Sequence, residues 1–280
     1  MAQTQDREVE LVTGPYRSGK SLWLVHELVD YCLSAPVLNR PVILTVPSHR
    51  YKRLVEERIS QYLGEKNAPG LFGLNILPFY DLCHFVLRTA GVSFRLLGDA
   101  LRPAVLLKSI EKVLGAGNLT SLSSIASFAG THAQMLELID ELERAGLSPS
   151  EVISTLNKQA ASDSRYIELA KVYQAYWLEL ESLGVYDERK LAYKAREVIT
   201  TLGDDVVDVG ILAIDGFDRF NPLQLSVLSV LSKKCQRTIA VFDYLKGAAD
   251  SEYAWKDKSM QGLREAFAPV REREMLRELS

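Results

Sequence analysis

The first 95 residues alternate between short apolar runs and longer stretches with helical periodicity. Val9, Leu11 and Val12 alternate as in a strand, and the continuous apolar run 42–46 is typical of a strand buried on both faces. A third short strand is expected at 74–77. Because each run is followed by apolar residues at helical spacing, the pattern predicts a parallel sheet with right-handed crossovers.

Strand signals disappear between residues 96 and 205, where apolar residues recur at helical spacing. This stretch predicts an all-helical insert of about five helices. One stripe contains Tyr173, Tyr176 and Trp177. These rings could form the core of a helix bundle or stack on nucleic-acid bases, and the core interpretation is favoured.

Strands return at 209–215 and 238–243, and each of these apolar runs ends in an aspartate. The chain is therefore expected to have an α/β fold in which one sheet domain is interrupted by the helical insert. We predict that the sheet domain comprises residues 1–95 and 206–280, with the insert at 96–205.

The first strand leads into a segment that matches the phosphate-binding pattern G-x-x-x-x-G-K-[ST] at every fixed position. The segment, called the phosphate loop below, is Gly14, Pro15, Tyr16, Arg17, Ser18, Gly19, Lys20 and Ser21. Glycines let the backbone curve around phosphates, Lys20 neutralises the β and γ charges, and Ser21 offers a hydroxyl to Mg²⁺. Free N–H groups at the start of the following helix also hold anions. The alternative is a chance glycine turn before a surface helix, but the flanking strand and helix favour nucleoside triphosphate binding.

Asp215 is the candidate on the metal side of this site, together with Ser21. In a phosphate-loop ATPase, an acid at the carboxyl end of a neighbouring strand holds Mg²⁺. Asp243 ends the next strand and could face the γ-phosphate, or it could simply cap a turn.

Gly216 follows Asp215, at the position where active motor ATPases usually place a glutamate that orients the attacking water. Glycine has no side chain and cannot act as a base. The catalytic residue is therefore unknown, and Asp218 is the nearest spare carboxylate. We expect weak hydrolysis or none.

A basic turn follows the second predicted strand. His49, Arg50, Lys52 and Arg53 lie in the first turn of a helix that Ser48 is expected to cap. Cations there oppose the helix dipole, and an anionic partner such as DNA would offset that cost. The alternative is an ordinary solvated turn, which is slightly favoured.

Net charge and the distribution of apolar residues exclude some classes of protein. The chain has 280 residues, and its net charge of −3 argues against a protein that coats DNA by itself. No window approaches the ~18 apolar residues of a membrane span, and Met1 opens a polar segment, so we expect no membrane and a cytoplasmic location. The charged tail 248–280, with Trp255 and Phe267 as its main apolar anchors, is expected to be poorly ordered or to lack a packing partner.

Five segments together suggest a family. They are Gly14–Ser21, Val46–Ser48, Leu77–Leu82, Ile139–Pro149 and Ile214–Phe220. Through them the whole chain resembles the amino-terminal region of AddB/RexB-type subunits of bacterial helicase–nucleases, which are related to superfamily I DNA helicases. The sharpest match outside the phosphate loop is the run Ile214–Phe220, close to the family's hydrophobic-Asp-Gly-Phe-x-x-Phe.

The resemblance implies a first RecA-like P-loop NTPase domain with an inserted helical subdomain, using ATP and Mg²⁺. It also implies ATP-dependent processing of DNA double-strand ends in recombinational repair, beside a motor helicase–nuclease subunit of AddA type. Family members are longer and carry a carboxyl-terminal nuclease domain, in which four cysteines hold an iron–sulfur cluster. This chain has three cysteines and ends at Ser280, so we expect it to be an amino-terminal fragment.

Three functions remain open at this point. The favoured hypothesis is an ATP-binding domain that serves the assembly or regulation of a DNA-end-processing complex. The second is an active DNA-dependent ATPase, in which Asp218 or another acid replaces the missing glutamate. The third is a structural scaffold that no longer uses nucleotide. The intact Lys20–Ser21 pair counts against the third, and Gly216 counts against the second.

Overall fold

The computed structural model describes residues 7–34, 40–158, 163–201, 208–245 and 253–276. The chain forms two compact units. The sheet unit consists of Met1–Ala90, Ala195–Phe220 and Gln224–Ser280, and the helical unit consists of Gly91–Lys194 and Asn221–Leu223. The predicted domain limits at 95 and 205 stay a prediction, and the second of them lies outside the described residues.

Strands and helices alternate at both ends of the chain, and helices dominate its middle. The first part has β1 (Glu8–Gly14), α1 (Lys20–Ser34), β2 (Val42–Val46), α2 (His49–Glu65), β3 (Leu74–Pro78) and α3 (Phe79–Thr89). The middle part has β4 (Arg95–Leu96), α4 (Arg102–Gly115), α5 (Ala129–Arg144), α6 (Pro149–Lys158), α7 (Ser164–Leu183), β5 (Val185–Tyr186) and α8 (Glu188–Thr201). The last part has β6 (Val209–Ile214), α9 (Pro222–Ser232), β7 (Cys235–Asp243), α10 (Asp257–Phe267) and β8 (Arg271–Glu274). No helix within the described ranges is long and apolar enough to cross a lipid bilayer.

Six strands form one parallel sheet in the order β3-β2-β6-β7-β1-β8. This arrangement confirms the predicted α/β class and is consistent with a RecA-like fold. β7 lies between β1, which leads into the phosphate loop, and β6, which leads to Asp215. Because neighbouring parallel strands end at the same edge of a sheet, the order brings three functional strand ends together.

Apolar periodicity explains the packing of the sheet unit. All five residues of β2 are buried, as expected for a central strand covered on both faces. The buried face of α1 carries Leu24, Val25, Leu28, Val29 and Cys32. Each such Leu or Val stabilises the fold by about 1.5–3 kcal/mol relative to full exposure, so the helix that begins under the phosphate loop is firmly held.

The helical unit has its own core. Tyr173 and Tyr176 of α7 are almost fully buried within it, which confirms their interpretation as bundle core rather than as a stacking surface. The unit also contains a parallel ladder of two residue pairs between β4 and β5. The prediction of an all-helical insert was therefore incomplete, because two-residue strands are too short to produce a period-2 pattern.

The expectation of a poorly ordered or unpartnered tail was wrong where the structure describes it, but Phe267 is buried as predicted. α10 buries Met260, Leu263 and Phe267, and β8 pairs with β1 at the edge of the sheet. Trp255, expected to be an anchor, is 60% exposed. Residues 248–252 and 277–280 lie outside the described ranges.

Candidate nucleotide-binding site

The ends of β1, β6 and β7 border a cavity of about 620 Å³. Its walls come from the phosphate loop, from the segment after β6, from the end of β7 and from one face of α2. The lining residues include Tyr16 to Leu22, Tyr51, Leu54, Arg58, Asp215 to Asp218, Val241 and Asp243. The structure thus brings the predicted loop, Asp215, Asp218 and Asp243 to one place.

The phosphate loop has an unusual backbone. Gly14 has φ +156°, and a Cβ there would lie 2.2 Å from the Met275 carbonyl oxygen, so only glycine fits. Arg17 also has a positive φ of 62°, which is uncommon for a residue with a side chain and typical of functional loops. Because α1 begins at Lys20, its first N–H groups lack partners within the helix and are available to an anion.

Lys20 is buried, with 3% of its surface exposed. Its ammonium group donates to the carbonyl oxygens of Gly14 and Pro15 at 3.0 and 2.7 Å and to Ser18 Oγ at 3.0 Å. Asp243 Oδ1 lies 2.8 Å away. An ammonium has three donors, so protein oxygens fully occupy Lys20 and a phosphate must displace one of them.

The two residues predicted to hold Mg²⁺, Ser21 and Asp215, lie next to each other. Ser21 Oγ donates to Asp215 Oδ1 at 2.9 Å, and the Tyr51 hydroxyl donates to Asp215 Oδ2 at 2.9 Å. Burial raises the pKa of Asp215, although the hydrogen bonds from Ser21 and Tyr51 oppose that shift. Oxygen ligands of this kind suit Mg²⁺, which is bound through one or two protein groups and the phosphates of its nucleotide.

Tyr51 is a site residue that the sequence pattern did not reveal. In the sequence it is one of the residues at helical spacing after the second predicted strand. It lies two residues beyond the start of α2, and its hydroxyl donates to Asp215. Burial and the charge of Asp215 raise the pKa of Tyr51 to about 12, so it remains a protonated donor at neutral pH.

The ring of Tyr51 also covers Gly216. Gly216 has φ +82°, and a Cβ there would lie 2.5 Å from Tyr51 Cζ. A glutamate at this position would therefore clash with the ring as well as strain the backbone. The Tyr51 ring thus occupies the space that a glutamate at position 216 would need.

The remaining carboxylate candidate, Asp218, has a cationic neighbour. Lys256 Nζ donates to Asp218 Oδ1 at 3.2 Å and lies over the rings of Phe242 and Trp255. Asp218 itself is largely exposed at the mouth of the cavity. Lys256, which no sequence motif singled out, is therefore a neighbour of the site through Asp218.

The predicted basic turn forms as expected at the start of α2. Ser48 caps the helix by accepting from the Tyr51 N–H at 3.2 Å. His49, Arg50 and Arg53 are exposed, and Lys52 lies 3.9 Å from Glu56. The turn is available to a partner, but DNA contact by these residues stays a prediction.

Comparison with known proteins gives the family. The family model described as "ADDB, N-terminal" matches residues 11–261, which is most of the chain. The chain belongs to the AddB amino-terminal family. The resemblance inferred from the sequence is thereby confirmed.

Relatives of this AddB amino-terminal region are named as the B subunit of an ATP-dependent helicase/deoxyribonuclease. The protein from Carboxydothermus hydrogenoformans is 28% identical over 80% of this chain and 20% of its own length. Those from Listeria innocua and Clostridium perfringens are each 23% identical, over 86% and 89% of this chain and 20% and 21% of their own lengths. The chain thus spans about a fifth of the length of these relatives.

Proposed function

We propose that this AddB amino-terminal region binds a nucleoside triphosphate, ATP, with Mg²⁺ in the cavity of the sheet unit. One observation carries the proposal: the ends of three adjacent strands bring a buried lysine, a positive-φ loop and a hydroxyl–carboxylate pair to the same cavity. Each part suits a different piece of a metal–triphosphate ligand.

The roles follow from the contacts. The loop N–H groups and Lys20 would hold the β- and γ-phosphates, with the ammonium exchanging its contact with Asp243 for phosphate oxygens. Ser21 and Asp215 would hold Mg²⁺, which neutralises phosphate charge when bound. Tyr51 and Ser21 keep the Asp215 carboxylate hydrogen-bonded and oriented.

Weak hydrolysis or none is part of the proposal. No side chain at 216 can orient a water, and the Tyr51 ring occupies the space that such a side chain would need. Asp218 Oδ1 already accepts a hydrogen bond from Lys256 Nζ at 3.2 Å, so this carboxylate is paired with a cation of the protein instead of being free to orient a water. The chain is therefore better suited to holding a triphosphate than to cleaving it.

Titration calorimetry with Mg·ATP tests the binding proposal. We expect binding to the wild-type chain and a loss of at least tenfold in affinity in Lys20→Ala, because a charge-assisted contact contributes about 1.5–3 kcal/mol. The matched control is Lys52→Ala, which removes a lysine outside the cavity and should bind like the wild type. Absence of binding to the folded wild-type chain would overturn the proposal.

A working ATPase is the second candidate, and it rests on Asp218, an exposed carboxylate that lines the cavity. It predicts phosphate release that single-stranded DNA accelerates and that Lys20→Ala abolishes. Loss of that release in Asp218→Asn would support this candidate over the holding function. A wild-type rate equal to that of Lys20→Ala would exclude it.

At the level of the whole protein, we propose a role in ATP-dependent processing of DNA double-strand ends for recombinational repair. The name of the relatives, the B subunit of a helicase/deoxyribonuclease, supports DNA as the substrate and another subunit, of AddA motor type, as the partner. A bacterial enzyme that acts on chromosomal DNA works in the cytoplasm. Co-purification of the full-length protein with an AddA-type motor, and its loss on deleting residues 1–280, would test the partnership.

DNA contact by the basic turn is a further part of this proposal, supported by the exposure of His49, Arg50 and Arg53. Replacing Arg50, Lys52 and Arg53 together by Gln should lower the slope of log affinity against log salt for single-stranded DNA by roughly 2 in the full-length protein. An unchanged slope would leave the turn as an ordinary solvated helix start.

A further inference from the structure

Among the described residues that line the cavity, Arg58 is a cation that neither the phosphate loop nor the metal side accounts for. Tyr51, Leu54 and Arg58 follow one another at intervals of three and four residues on α2, and all three line the cavity. Residues at this spacing share one face of a helix. The face of α2 that carries Tyr51 to Asp215 therefore also carries Arg58 to the same space.

The guanidinium of Arg58 is incompletely satisfied. Its Nη1 is buried and has no hydrogen-bond partner in the part of the chain that the structure describes. A buried donor without a partner costs about 1–3 kcal/mol, more for a charged group, and arginine cannot escape the cost by losing its proton. Such a group is expected where an anion arrives from outside.

The positive charge of Arg58 acts on two residues at the metal side of the site, Asp215 and Tyr51. Burial raises the pKa of both Asp215 and Tyr51, and in each case the positive charge of Arg58 acts in the opposite direction. This agrees with the cavity lining in placing the guanidinium near these two residues.

The carboxylates that line the cavity are engaged elsewhere. Asp215 accepts from Ser21 and Tyr51. Asp243 pairs with Lys20, and Asp218 pairs with Lys256. Among the described residues, these pairings leave Arg58 without a carboxylate partner in a cavity shaped for phosphates.

We propose that Arg58 binds the terminal phosphate of the nucleotide and makes the site specific for a triphosphate over a diphosphate. This inference rests on the proposed function. The phosphate loop and Lys20 serve either ligand, whereas Arg58 comes from a different element and is available for the group that only the triphosphate has. Guanidinium groups suit this task because their donors match phosphate oxygens. Combined with the absence of a base at 216, the site would register a triphosphate without consuming it.

The test compares the affinities of the 280-residue chain for Mg·AMP-PNP, a triphosphate analogue that resists hydrolysis, and Mg·ADP. Arg58→Gln should weaken binding of the analogue roughly tenfold or more while changing ADP affinity by less than about threefold. Arg58→Lys should lose part of the preference, because it keeps the charge but not the guanidinium donors. Arg88→Gln, an exposed arginine of α3 that does not line the cavity, is the matched control and should preserve both affinities.

The outcomes separate this inference from the proposed function. Equal losses for both ligands, or none for either, in folded Arg58→Gln would overturn the role of Arg58 and leave nucleotide binding intact. If thermal unfolding shows that Arg58→Gln does not fold, the preference of Arg58→Lys decides, and a preference equal to that of the wild type would overturn the role. A wild-type chain that binds neither ligand would overturn both proposals.

Discussion

Each unit of this chain buries a positively charged side chain, and the two are about equally buried: 6% of Arg102 and 3% of Lys20 is exposed. In the helical unit, Arg102 donates to Asp140 at 2.5 Å and lies 3.4 Å from Asp187. In the sheet unit, Lys20 is paired with Asp243, but this pair borders a cavity.

The two sites differ in what completes them. The Arg102 cluster is closed by the protein itself, since the Tyr176 hydroxyl and Arg189 provide further donors to the same two aspartates. Glu143 is buried beside the cluster without a hydrogen-bond partner among the described residues, and burial raises its pKa well above the ordinary value. Burial of charge alone therefore does not mark a binding site. The cations of the proposed nucleotide site, Lys20 and Arg58, differ from Arg102 in that they line a cavity.

Breaking the closed cluster should have the largest effect, and on stability alone. Arg102→Ala leaves the buried Asp187 and the partly buried Asp140 without their shared cation, so we expect the free energy of unfolding to fall by about 3–5 kcal/mol in urea titrations, with no change in Mg·ATP affinity for the folded protein. Arg165→Ala removes an exposed pair with Asp163 and should cost less than about 1 kcal/mol. Similar losses in both variants would refute the distinction.

The second-largest loss of stability is expected from a substitution at Gly216, which has a positive φ and lines the cavity. Gly216→Ala places a Cβ against the Tyr51 ring at a positive φ, and we expect a loss of roughly 2–4 kcal/mol in thermal or urea unfolding. Truncating the ring in Tyr51→Ala should recover the steric part in the double variant, so the two losses should not add. Strict additivity would show that the ring is not what excludes a side chain at 216.

Glu168, a fully hydrogen-bonded carboxylate of the helical unit, allows a test of how stability depends on pH. Burial acts to raise the pKa of Glu168, but hydrogen bonds from Thr120, Ser121 and Leu122 lower it to about 2. The folded pKa lies below the ordinary value of 4.5, so this stabilisation is present above about pH 4.5 and is lost as pH falls towards 2.

Glu168→Gln should therefore destabilise the chain by about 1–3 kcal/mol at pH 7 and flatten the acid side of its stability curve. Urea titrations between pH 2 and 7 measure both. Glu111→Gln, which alters an exposed carboxylate of α4, is the control for a general effect of charge. An acid limb in Glu168→Gln as steep as in the wild type would contradict the assignment.

The smallest effect concerns the open site and should appear in binding rather than in stability. Asp243→Asn removes the anion that competes with phosphate for Lys20, so we expect Mg·ATP to bind about fivefold more tightly, or about 1 kcal/mol. Calorimetry on this variant measures the change, and Asp218→Asn tests whether any lost negative charge at the cavity has the same effect. Weaker binding in Asp243→Asn would mean that Asp243 supports the nucleotide instead of competing with it.

The parts of the site that could be predicted are those defined by contiguous sequence. The phosphate loop and the aspartate after β6 follow from local motifs at the ends of apolar runs. Tyr51 and Arg58 could not be assigned in the same way, because their roles depend on β2 pairing with β6 and on the direction of α2. The sequence did contain a pattern that could have indicated them. Tyr51 and Arg58, whose side chains end in polar groups, lie two helical turns apart in the helix that follows β2. The Arg102 cluster gave no such signal, since its partners are far apart in sequence and meet only through helix packing.

Hydrogen exchange of the amides, measured with and without saturating Mg·ATP, tests the central claim most directly, because it reports both sites in one experiment. We predict slower exchange at residues 16–22 and in the first turns of α2, and no change around Asp140 in α5. Unchanged exchange in the phosphate loop at a nucleotide concentration of several millimolar would contradict the account.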